Sequence, residues 1–346
     1  MKQWIKRAGC LLVGAALAAT SLTGCTKSDK PSSNDGASSS AVSDEAIDIR
    51  MAVIKGPTGV GAVNLWANQD NGEARNRYTF ETVTTPDLAV NKIANGDVDI
   101  AALPTNAAAA LYAKTNGKIQ VLAVNTLGVL YMLENGDSIQ SVADLKGKTI
   151  YSTGQGANPE YILNYILEQN GLTPGKDVTI KFVAENDELA ALLVKGTATV
   201  AMVPEPVATT VRSKNDKLRV ALSMTDEWDA VAGENSALMM GCIVGNKDFV
   251  AAHPDGIRTF LQEYEASIER ANAVRDETAK LCKKYAIIED ETVAERSIVG
   301  CNLVFIEGDK MKDKLTGYYN VLLKANPKSI GGKLPDDAFY YLGETA

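Results

Sequence analysis

The sequence has a single histidine, His253, and only five cysteines in 346 residues. One histidine argues against a Ser-His-Asp hydrolase and against a metal site built from several histidines. Five cysteines are too few for a disulfide-based scaffold at this length. Basic residues are also in deficit, because 35 Lys and Arg stand against 43 Asp and Glu and leave a net charge of -8. Nucleic acid is therefore not an expected partner, since no basic excess is present to neutralise phosphates.

The rest of the composition is that of an ordinary folded protein, with 45% hydrophobic and 23% charged residues. At about 100–200 residues per domain, the length predicts two domains. Cys242, Cys282 and Cys301 lack the C-x-x-C spacing of a metal site, so a metal is not expected. Neither Gly59-x-Gly61 nor Gly154-x-Gly156 completes the G-x-G-x-x-G pattern of a dinucleotide site, so no cofactor is expected. Whether two of these three cysteines form a disulfide stays an open question at this point. His253 precedes Pro254 at a predicted helix start and is interpreted as structural.

The first 24 residues have the pattern of a signal peptide. Three basic residues precede an apolar stretch at 10–20, which is too short to span a bilayer. Leu22-Thr23-Gly24-Cys25 follows and resembles the bacterial lipobox, in which cleavage occurs before a cysteine that carries lipid. Residues 1–24 are thus predicted to be a lipoprotein signal peptide, with lipidation (palmitate included) at Cys25. An uncleaved anchor or an ordinary secretory signal is the alternative.

Residues 25–45 are predicted to be a flexible stalk. They are rich in Ser, Asp, Asn, Lys and Gly and show no apolar period. The net charge of -8 becomes -11 once the three basic residues of the signal peptide are removed. The folded part is expected to begin near Ala46, as an acidic domain tethered outside the membrane.

An internal duplication organises the rest of the chain. The segment Thr58-Gly59-x-Gly61-Ala62 returns 95 residues later as Thr153-Gly154-x-Gly156-Ala157. Gly96, Leu103 and Pro104 return after 100 residues as Gly196, Val203 and Pro204. Each copy reads as strands that alternate with helices, which predicts two α/β lobes with mainly parallel sheets. Ligand sites in such sheets lie outside the carboxyl ends of the strands, where both glycine loops fall.

The predicted elements and lobes can be stated by residue range. Strands are expected at 47–54, 78–84, 98–103, 148–152, 178–183, 199–203, 218–224 and 239–245, and helices include 63–71, 86–95, 158–170, 187–195 and 254–273. The two lobes are assigned as 46–126 plus 246–346 for lobe I and 127–245 for lobe II. The C-terminal helices have no repeated lobe of their own, so we expect them to pack back on lobe I. This gives at least two crossings between lobes, which would act as a hinge.

Candidate ligand-binding residues come from the loops of both copies. Backbone N–H groups at helix starts favour anionic or acceptor groups, and glycine permits close approach. Glu205 follows Pro204 and can hold a ligand amine or an aminopyrimidine, with capping of the next helix as the alternative. Lys55 can pair with an anionic group or be solvated, and Tyr161 lies early in the second helix. The candidate set is Lys55, Thr58, Gly59, Gly61, Thr105, Asn106, Thr153, Gly154, Gln155, Gly156, Ala157, Tyr161 and Glu205.

Three further segments carry a family resemblance. They are the lipobox, the passage 92–99 with its glycine and aspartate between helix and strand, and the run from Ser141 to Ile150 followed by Thr153-Gly154-Gln155-Gly156. With these the chain resembles the solute-binding proteins of bacterial ABC importers. The likeness is closest to the nitrate, sulfonate and taurine group, which includes binders of thiamine precursors.

The resemblance implies an α/β, two-lobed, periplasmic-binding-protein-like fold of type II, with a hinge between the lobes. It also implies a monomeric, lipid-anchored protein on the extracytoplasmic side of the cell membrane that is not an enzyme. Such a protein captures a small solute between its lobes and delivers it to a membrane permease with its ATPase. The loops lack the arginine that some sulfonate and taurine binders use, so a zwitterion or a pyrimidine also stays open as the ligand.

Two alternatives from other functional classes remain. Enzymes of pyrimidine or menaquinone biosynthesis share this fold, but they work inside the cell and need acid–base or metal residues. The lipobox and the lone His253 oppose that hypothesis. The other alternative is a surface sensor that reports ligand occupancy to a membrane receptor.

Overall fold

The computed structural model describes residues 45–343, and these form two β-sheets with helices packed around them. The predicted signal peptide, Cys25 and nearly all of the predicted stalk lie outside the described residues. The strands are β1 Asp48–Ile54, β2 Arg77–Val83, β3 Ile100–Pro104, β4 Ile119–Thr126, β5 Leu130–Asn135, β6 Thr149–Ser152, β7 Thr179–Phe182, β8 Val200–Pro204, β9 Leu218–Ser223, β10 Gly241–Asn246 and β11 Leu303–Ile306. The helices are α1 Pro57–Val60, α2 Val63–Asn71, α3 Pro86–Asn95, α4 Thr105–Lys114, α5 Asn158–Gln169, α6 Asn186–Val194, α7 Val207–Lys214, α8 Met224–Ala232, α9 Lys247–Ala252, α10 Pro254–Ala273, α11 Arg275–Lys284, α12 Glu291–Ser297 and α13 Gly308–Ala325.

The local signals that predict individual helices act as expected. In α3 the Thr85 hydroxyl accepts a hydrogen bond from the Leu88 N–H, and Pro86 occupies the first turn. Gly96 ends that helix in the left-handed conformation at φ 77°. The long helix α10 has the predicted bounds of 254–273. These predictions are confirmed. Each could be made from the sequence because the signal depends only on residues that are close along the chain.

The two sheets repeat one strand order. The first sheet is β11-β4-β10-β3-β1-β2, and the second is β7-β6-β8-β5-β9. In both, the strand next to one edge (β1 or β6) pairs in parallel with the strands on its two sides. The order β2-β1-β3-β10-β4 therefore matches β7-β6-β8-β5-β9 strand for strand. The α/β fold with two lobes of common design is confirmed.

The prediction of mainly parallel sheets holds for the direction of most strands but is wrong for β5 and β10. Strand β10 is antiparallel to β3 and β4, and β5 is antiparallel to β8 and β9. The physical reason lies in the connections, because a parallel neighbour needs a crossover from the far end of the same sheet. Strand β5 instead follows β4 of the other sheet after only residues 127–129. Strands β4, β5 and β11 themselves are not predicted from the sequence.

The chain crosses between the sheets twice within residues 45–343. It leaves the six-stranded sheet through 127–129 and returns through 224–240, which include α8. The predicted division puts residues 241–245 in lobe II, whereas the strand that contains them pairs inside the six-stranded sheet. The division into lobes by residue number otherwise stays a prediction.

The core contains most of the aromatic residues that the sequence offers. Trp228, Tyr264 and Tyr318 are fully buried, and Trp66 stacks between Phe80 and Tyr285. The three cysteines at 242, 282 and 301 are buried free thiols, so no two of them form the disulfide that the sequence leaves open. Burial raises the pKa of each of these thiols, which keeps them protonated.

Candidate ligand cleft

A cleft of about 430 Å³ lies among loops that follow strands of both sheets. The six-stranded side supplies the loops after β1, β2 and β3, and the five-stranded side supplies the loop after β6. The crossing segments contribute one residue each. The lining residues are Pro57, Thr58, Pro86, Asp87, Pro104, Asn106, Ala107, Thr126, Val129, Ala157, Asn158, Pro159 and Met240. This is the edge at which parallel strands of α/β sheets end and ligands bind.

Three of the predicted binding residues line this cleft, namely Thr58, Asn106 and Ala157. Thr58 and Asn106 come from loops of the first copy, and Ala157 comes from the second. The cleft therefore collects residues from both halves of the duplication.

The glycines of the first loop do not line the cleft. They are buried where a side chain would not fit: an added Cβ would lie 2.4 Å from the Ile54 carbonyl oxygen at Gly59, and 3.0 Å from the Tyr264 hydroxyl at Gly61. Their absence of a side chain lets α1 pack directly on β1 and on α10. Ligand contact by Gly59 and Gly61 stays a prediction, and their buried position outside the lining does not support it.

The second glycine loop uses its polar groups within the chain. The Gly156 N–H donates to a carboxylate oxygen of Glu160 at 2.6 Å. The Thr153 hydroxyl donates to Asn186 Oδ1 at 2.9 Å. Gly154 lies against the ring of Pro159, and Gln155 is exposed. None of these four predicted residues is part of the lining, although their neighbour Ala157 is.

Three further candidates are engaged in structural contacts. Thr105 is buried, and its hydroxyl donates to the Met239 carbonyl at 2.6 Å. The Tyr161 hydroxyl donates to the Gly156 carbonyl and accepts from the side-chain amide of Asn326. Lys55 forms an ion pair with Glu289 at 3.0 Å.

Glu205 is buried beside the cleft but outside its lining. Its carboxylate accepts hydrogen bonds from the Thr209 N–H and the Thr209 hydroxyl, both at 3.0 Å, in the first turn of α7. Burial raises the pKa of this carboxyl, and the two hydrogen bonds from Thr209 oppose that rise. These contacts are the ones expected if Glu205 caps the following helix, which is the alternative given from the sequence. A ligand role for Glu205 stays a prediction.

Asn158 is the residue that sequence reasoning missed as a ligand candidate. It is only 7% exposed, and its Nδ2 donates to Asn106 Oδ1 at 2.9 Å. This hydrogen bond joins the start of α4, which follows the six-stranded sheet, to the start of α5, which follows the five-stranded sheet. Its own Oδ1 is buried with no partner within the described residues. The signal in the sequence is its position directly after the second glycine loop, where it is predicted only as the first residue of the helix 158–170.

Comparison with known proteins settles the family. A profile of the family described as "ABC transporter, phosphonate, periplasmic substrate-binding protein" matches residues 73–289, which is more than half of the chain. The chain belongs to this family of periplasmic substrate-binding proteins. The resemblance to solute-binding proteins of ABC importers is thus confirmed. No curated protein matches the chain in sequence.

Solved structures agree on the fold of this substrate-binding protein. An ABC transporter protein from Parabacteroides distasonis has a TM-score of 0.72 at 23% identity, over 86% of this chain and 99% of its own. The periplasmic aliphatic sulphonate-binding protein SsuA of Escherichia coli has a TM-score of 0.66 at 14% identity, over 86% and 93%. The alkanesulfonate-binding protein SsuA of Xanthomonas axonopodis pv. citri, bound to MOPS, has a TM-score of 0.56 at 14% identity, over 85% and 96%. The predicted periplasmic-binding-protein-like fold is confirmed.

Family membership also fixes the general role and setting. The protein is an extracytoplasmic substrate-binding component of an ABC importer, and such components bind small ligands and deliver them to the permease. Over residues 45–343, no helix is long and apolar enough to cross a membrane. The same residues contain no group of three or more His, Cys, Asp or Glu side chains arranged to hold a metal ion.

Proposed function

We propose that this protein is a lipid-anchored receptor that captures a small polar or anionic solute in the cleft between its lobes and hands it to an ABC permease. The solute classes considered from the sequence are sulfonates or taurine and thiamine-like pyrimidines. The anchor would be the lipid on Cys25, and the stalk would let a monomeric receptor reach the permease. The protein would act by binding and release, without chemistry of its own.

The observation that carries this proposal is the composition of the cleft. Its lining takes residues from segments that follow strands of both sheets, and the hydrogen bond between Asn106 and Asn158 spans the two sides at 2.9 Å. A solute that contacts both sides binds the closed arrangement more tightly than an open one. It would therefore shift the population toward closure, with residues 127–129 and 224–240 as the hinge.

The test is to identify the solute and then measure closure. Small molecules released from denatured, freshly purified protein are identified by mass spectrometry and added back to protein refolded without them. A binder present at one hundred times its Kd stabilises the folded state by about 2.7 kcal/mol, which raises Tm by roughly 5–10 °C. We also expect the radius of gyration from small-angle scattering to fall. A protein that releases no small molecule, and whose Tm and scattering do not respond to taurine, ethanesulfonate, nitrate, methylphosphonate or thiamine, would contradict the proposal.

A further inference from the structure

The cleft wall carries no positive charge. Among its thirteen lining residues are four prolines, and Ala107, Ala157, Val129 and Met240 add further apolar surface. No Lys, Arg or His belongs to the lining. The one ionisable side chain is Asp87, which is exposed and has no ion-pair partner within the described residues. Two lysines on the six-stranded side are paired elsewhere, Lys55 with Glu289 at 3.0 Å and Lys92 with Glu81 at 2.9 Å.

An oxoanion in this cleft would find no side-chain cation in the lining to balance its charge. Burying a charge without a paired countercharge costs several kcal/mol. The helix starts around the cleft contribute only about half a positive charge each. Asp87 on α3 and Glu160 on α5 place full carboxylates in two of these first turns. The four-residue helix α1 and the longer α4 begin at the cleft without an acidic residue in the first turn.

The polar groups of the cleft suit a different ligand. Since Asn158 Nδ2 bonds to Asn106 Oδ1, the pair leaves the Asn158 Oδ1 acceptor and the Asn106 Nδ2 donor unused. Exchanging oxygen and nitrogen in both amides leaves one donor and one acceptor again. A side-by-side donor and acceptor match the edge of an amide or of a nitrogen heterocycle. The proline rings provide rigid apolar surface for the faces of such a ring.

From these observations we infer that the cleft takes an uncharged or cationic planar nitrogen heterocycle, and not a phosphonate, sulfonate or other oxoanion. This inference rests on the proposed function, because it names the chemical class of the solute. It also separates this chain from what the family description names. Asn158 and Asn106 would bind the ring edge, and Asp87 at the mouth would favour a cation or a ring rich in N–H groups.

The test is a thermal-shift comparison of two probe sets on the refolded, solute-free protein. Methylphosphonate, ethanesulfonate and nitrate are the anions, and cytosine and 4-aminopyridine are the uncharged and the cationic heterocycle. We expect at least one heterocycle at millimolar concentration to raise Tm by about 5 °C, and the anions to leave it unchanged. Which heterocycle acts distinguishes the neutral from the cationic ligand.

A matched pair of variants locates the effect. Asn158→Ala should abolish the heterocycle shift. Asn164→Ala should retain it, because Asn164 lies on the same helix with a similarly unpartnered buried Oδ1 but lines a different groove. If Asn158→Ala does not fold, Asn106→Ala replaces it from the other side of the cleft.

Three results would overturn the inference. The first is a shift with an anion, which would leave the proposed function intact. The second is a heterocycle shift that survives Asn158→Ala or Asn106→Ala. The third is no shift with either set, and the release experiment described above then decides whether the proposed function fails as well.

Discussion

The two glycine loops, 58–62 and 153–157, share the letters Thr-Gly-x-Gly-Ala but differ in why they need their glycines. In the first loop Gly59 and Gly61 are buried, and neither adopts a positive φ. What they require is space, since an added Cβ would meet Ile54, Ile287, Tyr264 or Ile268. In the second loop Gly154 and Gly156 adopt φ of 78° and 72°. Both require the left-handed backbone, which costs other residues about 1–2 kcal/mol. Gly154 also lacks room for a side chain, because an added Cβ would lie 2.8 Å from Pro159 Cγ, whereas Gly156 has open space.

This difference shows what a repeated motif establishes. The repeat identifies two sheets with one strand order, and the structure has them. It does not make the loops alike as binding elements, because the glycines of one loop are packed into the core and the other loop hydrogen-bonds to residues of α5 and α6. The cleft is lined instead by Thr58, Asn106 and residues 157–159, at the edges of the motifs.

The largest effect is expected from Gly59→Ala in the first loop. The new Cβ would lie 2.4 Å from the Ile54 carbonyl oxygen and 3.1 Å from Ile287 Cδ1. Because the carbonyl is part of β1, α1 or the strand must move. We expect the free energy of unfolding to fall by about 3 kcal/mol, as for overpacked cores. Urea denaturation monitored by circular dichroism measures it.

A smaller effect is expected from Gly156→Ala in the second loop. No atom lies within 4 Å of the added Cβ, so only the left-handed backbone at φ 72° opposes the substitution. The free energy of unfolding should fall by about 1 kcal/mol. The same urea titration is used for both variants. Equal losses for Gly59→Ala and Gly156→Ala would show that the two loops do not differ in the way described.

Sequence patterns predict local structure here better than they predict contacts. The bounds of α3 and α10 follow from capping residues and prolines within the helices themselves. The antiparallel direction of β5 and β10 could not be predicted in the same way, because it depends on a crossing between sheets. Likewise, the pairing of Asn158 with Asn106 joins residues 52 positions apart. Thr105 and Glu205 follow matching prolines and look like binding residues, yet their side chains bond Met239 and Thr209.

The smallest effect concerns Glu205, which stands where the first copy has the neutral Thr105. Burial raises the folded-state pKa of this carboxyl above its ordinary value of about 4.5. Well below that value both folded and unfolded states are protonated. As the pH rises, the unfolded state ionises first, so this residue's contribution to the free energy of unfolding decreases until the folded pKa is passed. Removing the titration with Glu205→Gln should therefore change little at pH 4 and stabilise the protein relative to wild type at pH 7.

Urea titrations of both proteins from pH 4 to pH 7 measure this difference, and Glu134→Gln supplies a control of opposite sign. Glu134 is also buried, but hydrogen bonds from Ser138 and Ile139 and the charge of Arg219 outweigh desolvation and lower its pKa. Its ionised form therefore stabilises the fold above the unfolded pKa, and Glu134→Gln should destabilise the protein more at pH 7 than at pH 4. If Glu205→Gln followed the same direction as Glu134→Gln, its carboxylate would be a stabilising anion in the folded state. The charged residue of the second copy would then have a role that Thr105 does not share.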